Sequence, residues 1–129
     1  MTDEIPEGGE PRTLGEDPPW GRLVLGYLSE GRDRRLRIFA RADATFIPVE
    51  EVYGAYVCWW EDGEDDADWV EASEVAAVRQ AHGGDDVKVL PGEWRTAWAP
   101  GAFSCLAFAE EDAREACPWI TGLAPAHPC

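Results

Sequence analysis

A chain of 129 residues that is 45% hydrophobic and carries seven tryptophans has apolar surface enough for one core, and it is too rich in aromatics to be wholly disordered. Its formal net charge of −15 argues against grasping nucleic-acid phosphates, which takes clustered Lys and Arg, and against anionic membrane surfaces. Such a charge suits a basic protein partner, or solubility alone.

No apolar run approaches the ~20 residues that span a bilayer, and the acidic N-terminus lacks a signal-peptide pattern. The expectation is a cytoplasmic protein whose cysteines, Cys58, Cys105, Cys117 and Cys129, are reduced thiols.

Residues 1–19 hold Pro6, Pro11, Pro18, Pro19, Gly8, Gly9 and Gly15, with six acids and one arginine. Little there can pack, so a flexible acidic arm is expected, followed by a single domain over 20–129. The stretch Gly21–Arg41 reads as a β-hairpin, with Arg22–Leu28 as first strand and a polar turn at 29–34. Over 35–41 the pattern alternates strictly: Leu36, Ile38 and Ala40 on one face, Arg35, Arg37, Phe39 and Arg41 on the other. That period of two marks a half-buried strand.

From Thr45 to Trp60 the β pattern continues, and Pro48 limits any strand at 45–47 to a short or edge position. Over 52–60 both faces are apolar, which predicts either a central strand covered on both sides or an exposed sticky surface. Residues 61–68 form a charged loop. Asp68 and Glu71 resemble a capping box, with Ser73 as a rival N-cap. A helix over about 72–82 follows, with Val75, Val78 and Ala81 as its apolar stripe and Gly83-Gly84 at its end. Asp86–Leu90 reads as a strand stopped by Pro91-Gly92, and 93–101 as a Trp-rich connection. Ala102–Ala109 is apolar enough for a buried strand. A short helix spans 110–117, its first turn carrying Glu110, Glu111 and Asp112 to suit the helix dipole, and Pro118 stops it. The tail to Cys129 is expected to be irregular. The sum is an α+β fold, a mostly antiparallel sheet of about five strands with two short helices packed on one face.

Charge is unevenly spread. Residues 21–41 hold six arginines and two acids, whereas 42–74 hold eleven acids and no base. The densest run is Glu61, Asp62, Glu64, Asp65, Asp66 and Asp68, with Glu71 and Glu74 beyond. Such a run repels itself and stays solvated. It is either a bare acidic loop or an electrostatic landing surface for a basic protein, flanked by Trp59 and Trp60. A third arrangement has the arginines of 35–41 pair with these acids within the fold. A calcium loop does not fit: counted from Asp62, Ala67 stands at the glycine position and Ser73 where a bidentate glutamate is needed.

Motifs for chemistry are missing. The cysteines have no finger spacing, and Cys117, His127 and Cys129 could meet on a metal only if the tail folded back. Only two histidines occur, His82 and His127, and nothing in the spacing pairs His82 with Cys105 as base and nucleophile. Gly83-Gly84 precedes a strand, so it is no phosphate loop. No catalytic residue, metal or cofactor is therefore assigned.

One stretch, Val57-Cys-Trp-Trp-Glu-Asp-Gly63 followed by Trp69-Val70, is similar to the strand–turn–strand of chromo and Tudor modules, families with aromatic cages for methylated lysine. The likeness is confined to 57–70, and no cage residue is carried over from it.

The function expected is an acidic protein-binding domain that inhibits or neutralises a basic, nucleic-acid-handling protein, in the manner of immunity or anti-defence proteins that imitate phosphate charge. Its partner-binding residues are Glu61, Asp62, Glu64, Asp65, Asp66, Asp68, Glu71, Trp59 and Trp60. One alternative is an aromatic-surface module that binds a peptide through Trp59 or Trp60, Trp94 and Trp98. Another is a small enzyme.

Overall fold

A computed structural model describes residues 12–59, 67–81 and 87–128. Five strands and two short helices follow one another: β1 Gly21–Leu28, β2 Arg34–Arg41, β3 Phe46–Trp59, β4 Asp68–Glu71, α1 Val75–Ala81, β5 Val87–Trp98 and α2 Leu106–Ala116. The strands form an antiparallel sheet in the order β1-β2-β3-β4, with β5 also paired to β3. The fold is thus α+β. Two compact units divide the chain, one made of Arg12–Val52 with Thr96–Cys129, the other containing Tyr53–Arg95.

In the first unit the β1–β2 hairpin is closed by Ser29, whose hydroxyl donates to Asp33 at 2.9 Å and accepts from the Arg34 amide at 3.1 Å. Strand β2 keeps the two faces that its alternation marked, but it is not the half-buried strand expected, because Arg35 and Phe39 on the second face are buried too. Leu36 and Ile38 are fully buried and pair with Tyr27 and Leu25 of β1. Helix α2 packs on that face through Ala109 and Ala113, joined by Cys117 and Ile120. Two alanines at this spacing let the helix lie close, and burial of Leu36 and Ile38 contributes about 1.5–3 kcal/mol each. Residues 12–19 have neither helix nor strand and lie against the arginine face of the hairpin.

Strand β3 runs unbroken through Pro48, which is buried opposite Ile38. Phe46 exchanges both backbone hydrogen bonds with Phe103, on the side of β3 away from β2. Residues two apart point the same way, so the Pro48 nitrogen also faces away from β2. The β2–β3 ladder therefore loses no bond to the proline.

In the second unit Ala55, Val57, Val75 and Val87 form a small core, with Val70, Val78 and Val89 packed on it. Six residues of β3, Val52 to Ala55 with Val57 and Cys58, are buried. Among the described residues this stretch is therefore a covered strand, as its two apolar faces allowed.

Three boundaries differ from those the sequence suggested. Asp68 does not cap a helix: Asp68–Glu71 is strand β4, registered against Val57 to Gly54, and the helical segment begins with a 3₁₀ turn at Ala72–Glu74 that leads into α1. Pro91-Gly92 does not stop β5, which continues to Trp98. At Gly92 the backbone passes so close to β3 that a Cβ would collide with the Gly54 carbonyl oxygen. Third, Leu106–Ala109 belongs to α2 rather than to a strand. Leu106, Ala109, Ala113 and Cys117 recur with helical period on the packed side, and a short apolar run is ambiguous until that period is read past its end. Glu110, Glu111 and Asp112 accordingly sit beyond the first turn. Glu110 instead bonds Arg114 at 3.0 Å, one turn on.

Candidate functional site

Of the acidic run, Glu61, Asp62, Glu64, Asp65 and Asp66 lie outside the described residues, as do Trp60 and His82. Trp59 is the last residue of β3, and its side chain is outside the description as well. The run falls in the link between the paired strands β3 and β4. At its far end Asp68 is exposed and Glu71 half-buried, both on β4.

The hairpin arginines do find carboxylates within their own unit. Arg34 Nη1 lies 3.5 Å from Glu50 Oε2, and Arg35 Nε donates to Glu51 Oε1 at 2.9 Å. Arg37 Nη2 donates to the same Glu51 oxygen. Register explains the choice, since Arg35 faces Glu51 across the β2–β3 ladder. Glu50 and Glu51, both among the acids of 42–74, are therefore taken up in ion pairs. Burial pushes the Arg37 guanidinium below its ordinary value, with Glu51 opposing.

Glu50 is a buried acid on the apolar face, opposite Leu36. It accepts from Trp119 Nε1 at 2.7 Å and lies beside the Cys117 thiol. A buried carboxylate is tolerable only with such donors. Burial first, then the Glu50 charge and hydrogen bond, push the Cys117 thiol up to about 12. At pH 8 its thiolate fraction is on the order of 10⁻⁴, so it is not a nucleophile. In a native-state alkylation at pH 8, half-exposed Cys105 should label first among the three described cysteines, with Cys58 and Cys117 protected; mass mapping of the adducts checks this.

The sign of the pH effect follows. A thiol that holds its proton more tightly when folded contributes stability below its unfolded value near 9, and that contribution is lost as pH rises toward 12. Burial raises the Tyr27 phenol as well, in the same sense. Urea melts between pH 8 and 11 should show falling stability, and Cys117→Ala should flatten the slope.

In the second unit an aromatic and charged cluster went unforeseen. The Tyr56 hydroxyl donates to Glu93 Oε1, and Arg95 Nη2 donates to the Tyr56 oxygen at 3.0 Å. The Arg95 guanidinium stands 4.9 Å from the Trp69 ring centroid and 5.6 Å from that of Tyr56, a cation–π arrangement. Tyr56 and Trp69 are register partners on β3 and β4. The Glu93-x-Arg95 spacing on one strand was the one local signal for it.

Of the tryptophans named for an aromatic surface, Trp94 and Trp98 are described in full, and both are engaged. Trp94 is buried edge-on against Tyr53 with centroids 5.3 Å apart, and Trp98 packs on the core of its own unit. Among the described residues the exposed large apolar side chains are Trp20 and Phe108. Among those residues, too, no three His, Cys, Asp or Glu side chains converge on a metal position, and no helix is long and apolar enough to cross a membrane.

No protein-family model, curated protein or solved structure matches this chain.

Proposed function

We propose that the chain binds and neutralises a basic protein that handles nucleic acid, using the acid-rich link between β3 and β4 as its landing surface. The observation that carries the reading is charge density: six carboxylates over residues 61–68 with no base among them, joined at Asp68 to an exposed strand position. Support also comes from the hairpin, where Arg34, Arg35 and Arg37 are engaged with Glu50 and Glu51 of their own unit. A concentrated negative field steers a cationic surface into contact and imitates a run of phosphates. The partner surface would contact Glu61, Asp62, Glu64, Asp65, Asp66, Asp68 and Glu71, with Trp59 and Trp60 as apolar anchors. A cytoplasmic location, with reduced thiols, goes with this reading.

Capture of partners at low and high salt tests it. A one-to-one complex should weaken by about a hundredfold between 50 mM and 500 mM salt, as exposed charge pairs are screened. Replacing the six acids of 61–68 by Asn and Gln should weaken it comparably at low salt. Affinity indifferent to both changes removes the proposal.

A further inference from the structure

The hairpin of the first unit holds residues 12–20 in the way a groove holds a bound peptide. Arg35 Nη1 donates to the Thr13 carbonyl at 3.1 Å. Arg37 Nη1 donates to the carbonyls of Leu14 and Glu16 at 3.0 and 3.3 Å. Each guanidinium also gives a donor to Glu51, which fixes both in position. The Leu14 side chain lies on Gly26 of β1, where a Cβ would come within 2.8 Å of Leu14 Cδ1. Gly15 turns the segment through a left-handed conformation, φ +76°. Asp17 Oδ1 accepts from the Leu23 amide at 3.2 Å. Trp20 closes the series edge-on to Phe39, centroids 5.1 Å apart.

These are the elements of peptide recognition: fixed donors reading main-chain carbonyls, a seat for one apolar side chain, and a carboxylate on a strand-edge amide. None depends on the segment being covalently joined to the hairpin. The joint itself is a turn at Pro18-Pro19, closed by the Gly21 amide on the Pro18 carbonyl at 3.2 Å.

We propose that this groove is an exchangeable site, which accepts Thr13–Asp17 from a second copy of the chain as well as from its own. The committed occupant is that segment because its complementarity to the groove is explicit residue by residue, and every copy carries it. Exchange replaces each contact by an identical one, so the balance is set by the tether. A short link gives the chain's own strap an effective concentration on the order of millimolar. Exchange is therefore a minor event in dilute wild-type protein and grows as the chain is concentrated or its own strap is weakened.

The probe is the synthetic peptide Thr13–Asp17, labelled at its amino end and titrated into full-length chain by fluorescence anisotropy. Leu14→Asp, which unseats the resident strap, should bind it at least tenfold more tightly than wild type. Adding Gly26→Val, which fills the leucine seat, should abolish that binding. A folded Leu14→Asp chain that ignores the peptide, or a Gly26→Val double variant that binds as well, overturns the proposal. Wild type gives a second reading that needs no variant to fold. The peptide contains no Lys or Arg, so trypsin spares it, and a saturating excess should speed cleavage of the full chain after Arg12 several-fold. An unchanged rate overturns the proposal. Sedimentation at millimolar chain concentration should reveal a dimer that excess peptide dissolves; a chain monomeric throughout overturns the exchange between copies.

Discussion

Glu51→Ala should lower the free energy of unfolding by about 3–5 kcal/mol, among the largest single effects in the molecule. One carboxylate oxygen serves two guanidinia, Arg35 Nε and Arg37 Nη2, whose side chains are only 8% and 12% exposed. Deleting it takes the shared carboxylate from two largely buried guanidinia, while Arg35 still donates to the Thr13 carbonyl and Arg37 to those of Leu14 and Glu16. The cost arises from desolvated charge that loses its shared carboxylate rather than from the ion pair's own strength. Arg35→Met with Arg37→Met in the Glu51→Ala background should therefore recover much of the loss. Urea melts followed by tryptophan fluorescence measure both. A loss below about 1 kcal/mol, the range of exposed pairs, would mean that water reaches these guanidinia.

The second large effect is expected at Gly92→Ala, with a cost at or beyond the upper end of the ~1–3 kcal/mol usual for overpacking. The added Cβ would run into the Gly54 carbonyl oxygen, and the Tyr53 ring stands 3.0 Å away. Backbone cannot rotate aside as a flexible side chain can, so β5 must lift from β3. Gly54→Ala should act alike, because its Cβ would meet the Val70 carbonyl and the Trp69 ring. Gly31→Ala is the control. Its nearest neighbour is the Asp33 carboxylate oxygen at 3.3 Å, the end of a side chain that can move, and its melt should shift within about 0.5 kcal/mol.

The architecture was legible where one face of an element is apolar and the other is not. The alternation Leu36, Ile38, Ala40 against Arg35, Arg37, Phe39 located β2 and the face that α2 covers. Legibility failed where few residues carry the pattern. Asp68-Trp-Val-Glu71 satisfies a capping box as well as it does a four-residue strand, and only pairing with Gly54–Val57 decides. Pro91-Gly92 looked like a terminator because the need for a glycine there comes from Gly54, far away in sequence. The chance that hairpin arginines meet acids of 42–74 was visible in the charge count, yet the particular partners follow from register, which composition does not encode. The cluster of Tyr56, Trp69, Glu93 and Arg95 draws on three strands and had no contiguous signature. The acidic run itself was read from charge density, and its role rests on the binding measurements proposed above.

The outer rim of β1 carries one more consequence. Gly26 there is stitched to the tail, its amide donating to the His127 carbonyl at 3.0 Å and its carbonyl accepting from Ala126 at 2.8 Å. A protein that loses those last few residues keeps its interior but bares the Gly26 amide and carbonyl on that rim. Such a rim recruits its like, so clipping by a carboxypeptidase should turn a well-behaved sample into one that slowly precipitates.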